Sequence, residues 1–270
     1  MADLAIGIVG AAGRMGLALT RAVGEAAGCH LVGATEMPGH GALGADIGTL
    51  AGGAALGVAV TEDAGALFAA ADAVLDFTAP QATAAHGALA ADNVTVLVTG
   101  TTGLDADQQA MIEAAARSVA VVQAANFSVG INLAMALVEQ TARLLDADFD
   151  IEVVEMHHRH KVDAPSGTAL ALGRAAAKGR GVELDAVAQR GRDGITGARE
   201  RGAIGFASLR GGDVVGEHSV VFAGPGERLE ITHKAGGREI FARGAVRAAR
   251  WAADKPAGLY SMADVLGFNG

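Results

Sequence analysis

Leu4-Ala5-Ile6-Gly7-Ile8-Val9, then Gly10-Ala11-Ala12-Gly13-Arg14-Met15-Gly16, then Leu17-Ala18-Leu19-Thr20-Arg21-Ala22-Val23: an apolar run, a glycine-rich turn and a helix-like run follow one another. A short continuous apolar run reads as a strand buried on both faces, as in a parallel sheet. Glycines at the turn let the backbone approach a pyrophosphate, which then rests on the N-terminus of the next helix. Gly10, Ala11, Ala12, Gly13, Arg14 and Met15 are therefore candidate dinucleotide contacts. The spacing is GxxGxxG, so the usual GxGxxG fingerprint is matched only in part. The context strengthens it. A second apolar run, residues 30–35, ends at Glu36. An acid about 20 positions past the turn is placed to accept hydrogen bonds from the adenosine ribose. Alone, Glu36 would read as an exposed loop carboxylate.

Moving outward, residues 39–57 are glycine-rich, lack periodicity and read as a loop over the nucleotide site. Strand patterns at 73–77, 94–98 and 119–122 then alternate with helical runs. In open α/β sheets, ligands lie beyond the carboxyl ends of the strands. Those ends carry Thr78, then Gly100-Thr101-Thr102, then Ala124-Ala125-Asn126-Phe127. They are candidates to line the nicotinamide half of the cofactor, although Gly, Thr and Asn are also ordinary turn residues. The fold class predicted for 1–127 is α/β, a Rossmann-type parallel sheet. After Ser128 a helix over 129–145 leads to a strand at 149–156 that alternates polar and apolar residues. A long excursion at 179–202 precedes three strand patterns, 203–209, 214–222 and 227–233. Gly211-Gly212 and Pro225-Gly226 stand between them as turn signals. Residues 128–237 thus predict a second, α+β domain with a mixed or antiparallel sheet, for substrate binding and oligomerisation. A helix over 238–253 and the segment to 270 return to complete the first domain.

The strand at 149–156 delivers His157-His158-Arg159-His160-Lys161, followed by Val162-Asp163-Ala164-Pro165-Ser166-Gly167-Thr168. Pro165, with no N–H and a fixed φ, ends any strand. Ser166, Gly167 and Thr168 read as a helix N-terminus that can hold a carboxylate or phosphate. Cations beside such a helix start make a receptor for a small polyanion. The plainer alternatives are a solvated basic loop, a simple helix cap, and a histidine metal site. Asp163 is the only near carboxylate and no Cys is close, so no metal is expected.

Composition limits the partners. The 270 residues carry a formal charge of -9, which argues against nucleic acid, and 51% hydrophobic residues, enough for a sizeable core. The single Cys29 excludes an intrachain disulfide and fits a reducing, cytoplasmic setting. No signal-peptide pattern and no membrane-spanning run is legible.

With both motifs in view, the chain resembles the 4-hydroxy-tetrahydrodipicolinate reductase (dihydrodipicolinate reductase) family over nearly its whole length. The likeness rests on the glycine turn at 10–16, Asp76-Phe77-Thr78, Gly100-Thr101-Thr102-Gly103 and Ala125-Asn126-Phe127-Ser128-Val129-Gly130. Most specific is the block from His157 to Ala169, and Gly216-Glu217-His218 and Glu230 to Ala235 also fit. The resemblance implies hydride transfer from NADH or NADPH to a cyclic dicarboxylate in diaminopimelate and lysine biosynthesis. It implies cofactor contacts at Gly10, Arg14, Met15, Glu36, Gly100 to Thr102 and Ala124 to Phe127. His157 would donate or accept the proton, Lys161 would be a second proton donor, and His158, Gly167 and Thr168 would hold substrate. It also implies a homotetramer built through the second domain. Many relatives carry Arg directly after the ribose-binding acid, whereas Met37 stands here. Two other readings remain at this point: a different amino-acid dehydrogenase acting on a semialdehyde or on aspartate, or a non-enzymatic NAD-binding sensor. The first would lack the 157–169 block, and the second would need an effector surface that is not evident.

Overall fold

A computed structural model of the chain describes residues 3–268. They form two compact units, one running to Val129 and resuming at Arg238, the other covering Gly130–Gly237.

The first unit begins with β1 (Leu4–Val9), α1 (Arg14–Glu25), β2 (Cys29–Thr35), α2 (Ile47–Leu50), β3 (Val60–Thr61) and α3 (Ala64–Ala70). It continues with β4 (Ala73–Asp76), α4 (Pro80–Asn93), β5 (Val96–Thr99), α5 (Ala106–Ala115) and β6 (Ala120–Gln123). The second unit holds α6 (Val129–Leu144, from its second residue), β7 (Asp150–His157), α7 (Gly167–Arg180), α8 (Leu184–Val187) and β8 (Ala188–Gln189). It ends with β9 (Ile204–Arg210), β10 (Gly216–Gly224) and β11 (Glu227–Ala235). The chain then returns to the first unit as α9 (Glu239–Ala252), β12 (Gly258–Tyr260) and α10 (Met262–Leu266).

In the first unit the strand order is β3-β2-β1-β4-β5-β6-β12, every pair parallel. Alternate residues along each strand serve opposite faces. Ile6, Ile8, Leu75, Val98 and Val122 pack with α1 and α9, while Val9, Val74, Leu97 and Val121 pack with α3 and α5. This double coverage explains the continuous apolar runs. Each fully buried Ile or Leu stabilises the unit by about 1.5–3 kcal/mol. The chain reverses direction across the sheet between β1 and β4, the switch point at which such folds leave a crevice beyond the strand ends.

Residues 39–57 are more ordered than their composition suggests. Asp46 caps α2 by accepting from Thr49 N–H, and also accepts from the N–H groups of Leu56, Gly57 and Val58. These backbone donors, Thr49 foremost, hold the Asp46 carboxyl below its ordinary pKa. Ile47 inserts into the core beside α1. One side chain thus replaces periodicity as the organiser, which a pattern search does not register.

The second unit's sheet has the order β11-β10-β7-β9-β8. β10 pairs antiparallel with β7 and β11, and β9 pairs parallel with β7 and β8, so the sheet is mixed. The turn signal Gly211-Gly212 does not join a hairpin, because β7 lies between β9 and β10. The Pro225-Gly226 turn does join one, β10 to β11. The 179–202 excursion contains the end of α7, then α8 and β8. Its last part is held by Arg199, which binds Glu152, Asp150 and the carbonyls of Ile151 and Ala203.

Candidate functional site

The turn after β1 is shaped for a ligand's close approach. Gly10 sits at φ 63°, a left-handed conformation that favours glycine. A Cβ on Gly16 would run into the carbonyl oxygens of Gly10 and Ala11. α1 begins at Arg14 with Gly13 as N-cap and no side-chain cap, so its first turn offers N–H groups to an anion. Glu36, at the end of β2, reaches back across the turn. Its Oε1 accepts from Ala12 N–H at 2.9 Å, and its Oε2 accepts from Met37 N–H at 3.2 Å. The acid and the turn therefore form one surface, with Arg14 exposed and Met37 68% exposed beside it.

The nicotinamide candidates divide into two kinds. Thr102 and Ala125 are exposed, and Gly100 and Ala124 partly so. Thr101, by contrast, is buried, and its hydroxyl accepts from Thr83 Oγ1 at 2.7 Å and from Thr78 N–H at 3.2 Å. The same network ends on buried Asp76, which takes the Thr78 hydroxyl at 2.6 Å and lies 2.9 Å from His86 Nδ1. Thr101 thus braces the turn, and its backbone is what can meet a ligand. Phe127 is also a core residue, 1% exposed with its ring against Phe77, so a cofactor would meet its backbone. Asn126 Oδ1 accepts from Ser128 N–H at 2.8 Å, shaping the chain after β6.

The second unit builds its site from side chains. Along β7, Ile151, Val153, Glu155 and His157 share the buried face. Ile151 and Val153 anchor an apolar core with Ile204, Phe206, Val220 and Phe222. Two residues further on, the same face turns polar. Glu155 is opposite His218 of β10 and Ser208 of β9, and His157 is opposite Arg210. Arg210 grips Glu155 with two bonds, Nη1 to Oε2 and Nη2 to Oε1, each 2.8 Å. Burial by itself pushes the Glu155 carboxyl up, but hydrogen bonds from Arg210, His157 and Ser208 outweigh it and hold it down at about 2. His157 Nδ1 lies 2.6 Å from Glu155 Oε2. An ionised carboxylate only accepts, so Nδ1 carries the hydrogen and the lone pair of neutral His157 is on Nε2. His218 stacks edge-on to His157 at 5.1 Å, and its Nε2 lies 3.0 Å from Ser166 Oγ. Burial foremost pushes His218 down to about 4, so it is neutral at pH 7.

Beyond β7 the turn folds back. His158 N–H donates to Val214 carbonyl at 2.7 Å, and its Nδ1 lies buried with no hydrogen-bond partner among the described residues. Lys161 Nζ pairs with Asp163 Oδ1 at 2.8 Å, and Arg210 Nη2 donates to the Asp163 carbonyl at 2.7 Å. α7 then starts as expected, but Ser166 is consumed by the fold. Its side chain caps Ala169 N–H, its own N–H donates to Glu155 Oε1 at 3.3 Å, and it is 2% exposed. Of the expected trio, exposed Gly167 and partly buried Thr168 remain at the surface of the helix start. Glu155, Arg210 and His218 were not singled out in the sequence as site residues. Strand parity with Ile151 and Val153 was the available signal for Glu155.

Known proteins agree closely with this chain. A family model described as dihydrodipicolinate reductase, N-terminus, matches residues 4–127, and one described as dihydrodipicolinate reductase, C-terminus, matches residues 130–266. A 4-hydroxy-tetrahydrodipicolinate reductase from Rhodopseudomonas palustris (strain BisA53) is 58% identical, over 99% of this chain and 98% of its own. One from Ruegeria pomeroyi is 58% identical over 96% of this chain and 97% of its own. A dipicolinate-bound dihydrodipicolinate reductase from Paenisporosarcina sp. TG-14 superposes with TM-score 0.76 at 26% identity, covering 97% of this chain and 98% of that one. An amine dehydrogenase from Mycobacterium smegmatis, at 15% identity and TM-score 0.59, shares the fold alone.

Proposed function

The chain belongs to the dihydrodipicolinate reductase family, and on that premise we propose how its residues carry the reaction. The reaction is reduction of 4-hydroxy-tetrahydrodipicolinate to tetrahydrodipicolinate by a nicotinamide dinucleotide, a step of diaminopimelate and lysine biosynthesis. The glycine turn and uncapped start of α1 fit such a cofactor, which when bound supplies hydride.

Gly10 to Met15 receive the pyrophosphate, Glu36 the adenosine ribose, and the 100–102 and 124–127 backbone the nicotinamide. In the second unit, His158, Gly167 and Thr168 hold a substrate carboxylate. Once the 4-hydroxyl has left as water, the ring is an unsaturated imine; hydride addition to it leaves an enamine-like anion, which must take a proton. His157, first protonated at Nε2 from solvent, delivers that proton and returns to the neutral Nδ1–H form, since Nδ1 is engaged by Glu155. Lys161 offers positive charge where negative charge develops, and a second proton. The carrying observation is the Glu155-fixed imidazole with Lys161 four residues on. Stopped-flow assays test it: nicotinamide oxidation should occur only when the pyruvate–aspartate-semialdehyde condensation product is present. Oxidation without it, or binding without turnover, would refute the reading.

NADH serves at least as well as NADPH in this reading. Glu36 is a like charge to a 2′-phosphate, worth roughly 1–4 kcal/mol of repulsion, and Met37 brings no cation to offset it. The protein acts in the cytoplasm as a homotetramer joined through 128–237. The outward face of β7 carries Val154 and Met156 only partly buried, and β11 leaves a long sheet edge. Light scattering at micromolar concentration should give four chains, and a monomer would refute that assembly. Among the described residues no helix is long and apolar enough to cross a membrane.

A further inference from the structure

The buried polar row of β7, β9 and β10 is larger than proton delivery by His157 requires. A carboxylate at 1% exposure, itself held by a bidentate arginine, backs the imidazole. Burying such a pair costs desolvation that only good geometry offsets. The geometry is good. Both carboxylate oxygens take guanidinium hydrogens at 2.8 Å, Oε2 also takes His157 Nδ1, and Oε1 also takes Ser166 N–H. Together these bonds fix the Glu155 carboxylate against the His157 ring.

We propose that Glu155 is a positioning residue: it holds His157 in the Nδ1–H tautomer with Nε2 as the only proton port, and Arg210 keeps Glu155 ionised and aimed. This deepens the reading of His157 as proton donor and rests on it. The logic is chemical. A neutral imidazole has two tautomers, and only the one with a bare Nε2 can be recharged there by solvent between turnovers. A carboxylate that can only accept selects that tautomer. A neutral residue such as Gln, able to donate or accept, does not. Arg210 adds a second link, because its Nη2 also holds the Asp163 carbonyl, two residues from Lys161. One guanidinium thereby sets the ring and the turn that carries the lysine.

The test uses the full-length protein with ¹⁵N-histidine labelling and steady-state kinetics. In the parent, long-range ¹H–¹⁵N spectra should show neutral His157 as the Nδ1–H tautomer. A parent with hydrogen on Nε2 would overturn the proposal without any variant, so misfolding cannot shield it. Glu155→Gln should mix the tautomers and lower kcat by on the order of 10²-fold with KM within about threefold. Arg210→Lys, which keeps a cation but not the two-pronged grip, should fall between parent and Glu155→Gln. A Glu155→Gln enzyme with parental kcat would overturn the proposal while leaving the donor role of His157 intact. A His157→Gln enzyme with parental kcat would instead overturn that donor role.

Discussion

The two units of this chain build their candidate sites in opposite ways. In the first unit the important atoms belong to the backbone, and the residues matter through what they lack. Gly10 and Gly16 clear space, Gly13 withholds a cap, and Ala12 offers its N–H to Glu36. In the second unit the candidate site is made of side chains. Glu155, His157 and His218, all buried, and the partly exposed Arg210 meet on one face of the β7, β9 and β10 sheet, and Lys161 stands on the turn beyond. The fold itself is generic: an amine dehydrogenase at 15% identity shares it over 97% of this chain. A buried charge network is particular, which is why the 157–169 block pointed to one family.

That contrast can be broken most easily at Lys161. Lys161→Met should cut turnover by 10²-fold or more while dinucleotide affinity, read by fluorescence, stays within about threefold. Parental turnover would make Lys161 only a partner of Asp163.

Acid sensitivity should also belong to the second unit. The folded pKa of His218, about 4, is depressed from 6.5, so the unfolded chain takes a proton that the folded one refuses. Its contribution is complete above pH 6.5 and is lost as pH falls through 4, about 3 kcal/mol at most. Glu155, depressed from 4.5 to about 2, adds a further loss below pH 4.5. Urea unfolding at pH 7 and pH 4.5 should show the fall, and His218→Gln should flatten it between those values. An unchanged slope in the variant would remove His218 from the account.

For the cradle, Gly16→Ala should cost about 1–3 kcal/mol by overpacking against two carbonyls that cannot yield cheaply. Thermal unfolding measures it, and a neutral result would mean that the turn is softer than its geometry. The smallest effect sits at the cradle's rim. Met37→Arg should shift the ratio of kcat/KM toward NADPH by about tenfold, one charge-assisted contact of ~1.5–3 kcal/mol before screening. A parent already strongly selective for NADPH would show that Arg14 or a more distant cation reads the phosphate.

Much of this was legible in the sequence, for reasons tied to chain distance. The β1–turn–α1 unit, Glu36 and the strand ends are local signals, each read from chain neighbours no more than about two dozen residues apart. The second sheet was less legible, because β9 and β10 are consecutive yet separated by β7, and nothing between 203 and 222 announces that insertion. Arg210 could be placed against Glu155 only once the β7–β9 register was known. Ser166 shows the opposite limit. Its position at a helix start was readable, but whether its hydroxyl faced a ligand or capped Ala169 depended on the packing of His218.

The central place of β7 also has a kinetic consequence. The β10–β11 hairpin closes through two residues and can form early. The parallel β7–β9 ladder must first close a loop of roughly 50 residues, an entropic cost borne before any contact rewards it. Arg210 lies 55 positions beyond Glu155, and His218 lies 52 beyond Ser166. The Glu155–His157–Arg210 network therefore cannot exist in a half-folded second unit. On refolding from urea, recovery of turnover should lag behind recovery of helix signal, with the reappearance of activity timing the arrival of the last strand.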